Sequence, residues 1–190
     1  LGLLGIGTDQ LDRVPCDDEG RIVATKMPSL DSSCVVCLQA GNVNSGASDS
    51  FADIVPIAKA AGAWVHVDGA FGLWAAASPS KRLLVAGVEH ADSWAVDAHK
   101  WLNTPYDCGI AICSDNQSVH SVMTTDAPYL TNGARSEPKD LVPEFSRRAR
   151  GVEVWATIME LGAEGIAAMI ERCCAHAKRL SNGLDEMGYT

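Results

Sequence analysis

The sequence predicts an α/β fold, a largely parallel sheet covered by helices, and three observations predict it. Short β-rich apolar runs alternate with helical patterns along the 190 residues. At 47% hydrophobic and 21% charged, the chain has the composition of a globular protein with a substantial core. Neither an internal repeat nor a low-complexity tract interrupts that alternation.

Taken in order, residues 1–7 form a short, Gly-broken apolar run with no basic lead and no cleavage site, so no secretory signal is expected. Residues 34–39 read as a buried strand, followed by a polar turn over 41–46. Phe51, Ile54, Val55 and Ala58 recur at helical spacing, and Gly62 is a suitable C-terminal stop. Residues 63–67 form a second strand that runs into Asp68-Gly69-Ala70. Residues 93–96 form a third, entering Asp97-Ala98-His99-Lys100, and 108–113 a fourth after the Thr104-Pro105 turn.

Over 115–145 the pattern dissolves into polar residues with Pro128, Pro138 and Pro143, which predicts a long loop. Beyond it, Val152, Trp155 and Met159 make one helical stripe, and Ile166, Ile170, Cys173, Ala177, Leu180 and Leu184 another. The expected organisation is a partial α/β domain over 1–150, including that loop, and connecting helices over 151–190 that begin a second domain.

Charge and cysteine usage narrow the function classes. With 15 Lys+Arg against 24 Asp+Glu the net charge is -9, a field that repels phosphate backbones and anionic membranes. Neither nucleic acid nor a membrane is therefore expected as a partner. Residues 60–77, the most apolar stretch, contain His66 and Asp68 and several glycines, which disqualifies them as a membrane-spanning helix. Seven cysteines scattered through apolar segments suit buried free thiols in a reducing, cytosolic compartment better than a disulfide framework. In the Cys34-x-x-Cys37 pair, residues three apart on a strand face opposite sides, so a metal clip is not expected there.

Chemistry is expected where strands end. In open α/β sheets ligands bind outside the carboxyl edge of the strands, and Asp68 and Lys100 both fall there, on separate strands. A lysine at a buried strand end beside His99 and Trp101 would lose hydration, which destabilises its ammonium and frees the neutral amine as a nucleophile. Such an amine forms imines with aldehydes. A carboxylate nearby is what a pyridine ring then needs, because it keeps the ring nitrogen protonated and the ring able to accept electrons. The plainer readings are a solvated lysine and a turn-forming aspartate. A rival enzyme class would use His66 and Asp68 with His90 or His99 as metal ligands, but no H-E-x-x-H or similar signature accompanies them.

The runs His66-Val67-Asp68-Gly69-Ala70, Asp92-Ser93 and Asp97-Ala98-His99-Lys100-Trp101-Leu102 closely resemble the group II pyridoxal-phosphate-dependent amino-acid decarboxylases, the aromatic amino-acid and glutamate decarboxylases among them. The likeness extends from Leu3-Leu4-Gly5-Ile6-Gly7 through Ser146-Arg147-Arg148-Ala149-Arg150 to Val154-Trp155, with His-Lys-Trp its most specific part.

The resemblance implies the large domain of the fold type I (aspartate aminotransferase-like) enzymes, present in part, with the start of a C-terminal small domain. It implies pyridoxal 5'-phosphate as cofactor, an amino acid as substrate and a homodimer. For the site it implies Lys100 as the imine-forming lysine, Asp68 on the pyridinium nitrogen, Ala70 on the ring face, and His99 beside the cofactor as a contact and proton-transfer group. Tyr129 falls at the place of the loop tyrosine that protonates the carbanion after carbon dioxide leaves. A phenylalanine there goes with aldehyde formation.

Asp97 stands where many members have Asn, and Val43 or Asn44 where others have Thr. The family's phosphate cradle and ring-stacking His would precede Leu1, so an internal fragment is expected. Besides decarboxylation, the alternatives are an aldehyde-forming or lyase relative, and a non-catalytic fragment serving as a dimerisation module. Arg147, Arg148 and Arg150 are read as a solvated helix start able to brace the loop.

Overall fold

The computed structural model describes residues 2–124 and 137–189. Among the described residues one four-stranded sheet carries the architecture, in the order β1 (Val35–Gln39), β2 (Trp64–Asp68), β3 (Ser93–Asp97) and β4 (Gly109–Cys113). The first three strands are parallel and β4 runs antiparallel to β3. Residues Gln39 and Asp68 stand level across β1 and β2, and Asp68 and Ala95 across β2 and β3. The register therefore brings the carboxyl ends of the parallel strands to one edge.

Period-2 alternation divides the sheet into a covered and an open face. Val36 and Leu38 of β1 and Val65 and Val67 of β2 are buried against Phe51, Ile54, Val55 and Ala58 of α1 (Phe51–Ala60). The alternate residues Val35, Cys37 and Asp68 are exposed on the other face, so the strand expected to be buried is covered on one side only, and Cys37, like Cys16 and Cys173, is not the buried thiol expected. Asp53 in the first turn of α1 and Lys59 in its last complement the helix dipole. Lys59 also pairs with Asp92, whose second carboxylate oxygen accepts the Val65 N–H at 2.8 Å, so one ion pair ties α1 to the sheet. Pro56 sits inside α1 on its exposed side. Buried Asp49 accepts the amides of Ile22 and Gln39, each at 2.7 Å, and so fixes the segment before β1 against the end of that strand.

A second cluster joins Ala98, Leu102 and Cys108, just past β3, to Ile166, Met169 and Ile170 of α3 (Arg150–Glu186). Trp101 touches both clusters and so links the sheet to α3. Helical geometry breaks once inside α3, at Gly162 (φ 61°, ψ −175°), a backbone region open to glycine and little else. Of the two apolar stripes read from the sequence, the second is buried at Ile166 and Ile170, while Leu180 and Leu184 are exposed. Val152, Trp155 and Met159 of the first are exposed as well. Glu171 anchors the middle of α3 by accepting hydrogen bonds from Ser78 and Ser80.

The segment read as one long loop, 115–145, contains regular structure. Asp115 accepts the N–H groups of Gln117 at 3.0 Å and Ser118 at 3.2 Å, capping α2 (Asn116–Met123), and a 3-10 turn follows at Pro138–Leu141. Helix α2 buries no residue, so apolar periodicity gave no signal for it. Among the described residues no helix is long and apolar enough to cross a membrane.

Leu38 is 1% exposed at the centre of the first cluster. Leu38→Ala is expected to lower the free energy of unfolding by about 2–5 kcal/mol, read from urea denaturation. A loss under about 1 kcal/mol would show that this cluster does not hold the sheet to α1.

Candidate functional site

The site is built on three turns at the carboxyl edge of the sheet. Asp68, the last residue of β2, gives its carbonyl to the Ala40 N–H at 2.8 Å, while its exposed carboxylate accepts the Ala70 N–H at 3.1 Å. This is an Asx turn, which short acidic side chains favour. Gly69 donates to the Ala95 carbonyl at 2.7 Å, and Gly72 to that of Ala40 at 2.9 Å. A Cβ on Gly72 would lie 2.7 Å from the Ala40 oxygen, and one on Gly41 (φ 86°) would lie 2.8 Å from the Gly72 nitrogen. The turns after β1 and β2 are thus pressed backbone to backbone, which only glycine allows. Partial loss of hydration, and then the charge of Asp68, push the Cys37 thiol above its ordinary pKa.

The third turn follows β3. Lys100 directs its ammonium to Asp97, with Nζ 2.7 Å from Oδ2, and stands 3.8 Å from the centroid of the Phe71 ring. Because Phe71 lies three residues past Asp68, that contact joins the lysine turn to the aspartate turn. His99 sets Nδ1 2.9 Å from both the amide and the carbonyl of Cys108. As an acceptor from the amide, Nδ1 leaves Nε2 to carry the proton, 3.6 Å from Asp97 Oδ2. The edge of Tyr106 meets the His99 ring at 4.4 Å between centroids and 63° between planes. The Nε1–H of Trp74 donates to the Asp97 carbonyl at 3.1 Å.

Asp68, Ala70, His99 and Lys100 therefore all sit on the two turns that Phe71 connects. Tyr129 lies outside the described residues. One expectation is corrected: the Lys100 side chain is 32% exposed and paired with a carboxylate, so its ammonium is not the desolvated group that a buried strand end would make. Sequence reasoning missed Phe71, Trp74 and Tyr106, and it noted Asp97 without giving it a partner. A signal for Asp97 existed in its spacing three residues before Lys100, the reach of one tight turn. Among the described residues no group of three or more His, Cys, Asp or Glu side chains is disposed to hold a metal ion.

Of the three arginines read as a solvated helix start, Arg147 donates to the Glu144 and Pro138 carbonyls, and Arg148 and Arg150 are engaged with the turn beside His99. Arg148 donates to the Asp107 carbonyl at 2.8 Å, and Arg150 donates to the same carbonyl and to the Asp107 carboxylate, each at 3.1 Å. Arg150 also reaches Glu144 at 3.2 Å. The Arg150 guanidinium holds the Asp107 carboxyl below its usual pKa.

With this geometry in view, comparison with known proteins gives a consistent result. The model of the pyridoxal-dependent decarboxylase conserved domain matches residues 9–188. Tyrosine/DOPA decarboxylase 5 of Papaver somniferum is 30% identical over 165 residues, 83% of this chain and 32% of that protein. Phenylacetaldehyde synthase of Arabidopsis thaliana is 32% identical over 148 residues, 75% of this chain and 30% of that protein. The crystal structure of mouse CSAD in apo form superposes with a TM-score of 0.86 at 23% identity, covering 97% of this chain and 41% of that one. The fold is accordingly that of the fold type I pyridoxal-phosphate enzymes, present in part. This chain spans about a third of the length of the tyrosine and DOPA decarboxylases of Papaver somniferum that it resembles.

The Asp107 pair makes stability depend on pH with a definite sign. A carboxyl whose pKa is lowered by folding adds stability above its unfolded value, about 3.9, and loses it as pH falls through the folded value. Thermal midpoints of the parent are expected to drop more steeply below about pH 5 than those of Asp107→Asn. Parallel curves for the two proteins would count against the pair.

Proposed function

The chain belongs to the pyridoxal-dependent decarboxylase family, and from that premise we propose that it carries the lysine and aspartate that hold pyridoxal 5'-phosphate while an L-amino acid loses carbon dioxide. The observation that carries this reading is the meeting of the Lys100 and Asp68 turns across Phe71. The donor chemistry fits the cofactor: a primary amine and a carboxylate lie on neighbouring turns of one strand edge, and the backbones beneath them are packed too closely for side chains. When bound, the cofactor supplies an aldehyde for tethering and a pyridine ring that takes up the electrons of the breaking carbon–carbon bond.

The protein's own groups then have separate tasks. Lys100 would provide the tethering amine, and its free ammonium is held by Asp97. Asp68 keeps a proton on the ring nitrogen; its Oδ1 is already oriented by the Ala70 amide, so the carboxylate is preorganised. The methyl group of Ala70 offers an apolar surface to the ring face. His99, locked through Nδ1 to Cys108, presents Nε2 as the group that contacts the cofactor and moves protons near the amine. Tyr129 is assigned the return of a proton to the α-carbon. The same reading makes the working protein a cytosolic homodimer, and the exposed Val152, Trp155 and Met159 of α3 are compatible with a partner surface.

A second reading, aldehyde formation, is supported by the likeness to phenylacetaldehyde synthase. The two separate by product: an amine with no oxygen consumed, or an aldehyde with oxygen consumed and ammonia released.

The test is to incubate the protein with pyridoxal 5'-phosphate, reduce with borohydride and map the modified peptide. The pyridoxyl group is expected on Lys100 and is lost in Lys100→Ala; an adduct confined to other lysines would refute the tether. Asp68→Asn is expected to keep that adduct while slowing amine release by roughly a hundredfold or more, as loss of a group that controls a proton in the reaction does. Release within a few-fold of the parent would remove Asp68 from the chemistry.

A further inference from the structure

We infer that Asp97 is a positioning residue, which holds the Lys100 amine as an ammonium at the strand edge and governs how readily that amine is given up to a carbonyl compound. The inference deepens the assignment of Lys100 as the reactive amine and rests on it.

The carboxylate is well placed to do this. Asp97 is the last residue of β3 and faces Gly109 across the antiparallel ladder, and its carbonyl is held by Trp74. The backbone that projects the side chain is therefore fixed on two sides. The turn beyond it is equally defined: Thr104 donates to the Ala98 carbonyl and Asn103 to the Lys100 carbonyl, each at 3.1 Å. Across that turn Oδ2 meets Nζ at 2.7 Å, the distance of a charge-assisted hydrogen bond. The ring of Phe71 adds a second contact to the ammonium. With side-chain exposures of 32% and 23%, the pair is more shielded than an ordinary surface ion pair. His99 Nε2 stands near the same oxygen, so Asp97 is the group common to both neighbours of the site.

The chemical consequence follows from the proton. An amine adds to a carbonyl carbon only through its free lone pair, so the ammonium must first release one proton. Addition then forms the carbon–nitrogen bond, and the carbonyl oxygen, taking up two protons in all, leaves as water. The product is a protonated imine when the released proton is counted back, so nitrogen is positively charged at both ends of the step and neutral only between them. A carboxylate at 2.7 Å favours both ends and opposes the middle. Asp97 thereby slows the attack of Lys100 on a free aldehyde and keeps the detached amine in place for its return.

Reductive methylation with formaldehyde and cyanoborohydride tests this without the cofactor, reading dimethylation of Lys100 by mass spectrometry against exposed Lys26 in the same chain. At neutral pH, Asp97→Asn is expected to raise the Lys100-to-Lys26 rate ratio by about threefold to tenfold, the range for a partly shielded ion pair. Asp97→Glu is expected to bring the ratio back toward that of the parent. An unchanged ratio in Asp97→Asn, or an equal rise in Asn and Glu variants, would overturn the inference, the latter by showing a role of shape alone. Should Asp97→Asn fail to fold, the parent labelled with 15N-lysine supplies the second measurement. One slowly exchanging side-chain ammonium signal, absent from Lys100→Ala, is expected, and its absence from the parent would also overturn the inference. Because no pyridoxal phosphate is used, a failed tether and a failed Asp97 role give different results.

Discussion

The parallel register of β1, β2 and β3 is the constraint on which the rest of the structure depends. Parallel strands all end at the same edge, so every residue just past a strand is delivered to one side of the sheet. Pairing of Asp68 with Ala95 sets the aspartate two residues behind Asp97 and five behind Lys100 in the neighbouring chain segment. A one-residue slip would turn Asp68 toward α1 and expose Val67. The buried rows Val36, Leu38 and Val65, Val67 prevent that slip, so the core under α1 also fixes which way Asp68 faces.

The ammonium of Lys100 meets one carboxylate and one aromatic ring. Asp97 pairs with it directly, Phe71 lies beneath it, and the charge of Asp68 is felt as far as Cys37 on β1. The two carboxylates at this edge, Asp68 and Asp97, have different surroundings. Asp68 is exposed and oriented by a backbone amide, free to meet a ligand, whereas Asp97 is turned to the lysine. On the far side, Arg148 and Arg150 grip Asp107, so that the turn bearing Tyr106 sits against His99. The start of α3 thus supports a histidine about fifty residues earlier in the chain.

Much of the fold was legible because its signals are local. Four strands and α1 stand within a residue or two of where alternation, Phe51-Ile54-Val55-Ala58 spacing and the Gly62 stop put them. Asp68 and Lys100 were legible as strand-end residues for the same reason. Helix α2 was not, since it has a cap but no buried face, and a helix without an apolar stripe leaves little trace in a hydrophobic pattern. The environment of Lys100 was misjudged because exposure is a property of what other segments cover, and nothing in Asp97-Ala98-His99-Lys100 states that the lysine faces an anion across its own turn.

The sequence by itself determined the class of fold and the family, and it put Asp68 and Lys100 at strand ends, because β-rich runs and a contiguous motif are written in neighbouring residues. Only the tertiary structure decided what surrounds them: Phe71 under the ammonium, Asp97 against it, Trp74 and Tyr106 bracing the turn, and the arginines of α3 on Asp107. Those contacts join residues up to 43 positions apart, and no local pattern encodes a partner that arrives only when the strands align and α3 folds back over their edge.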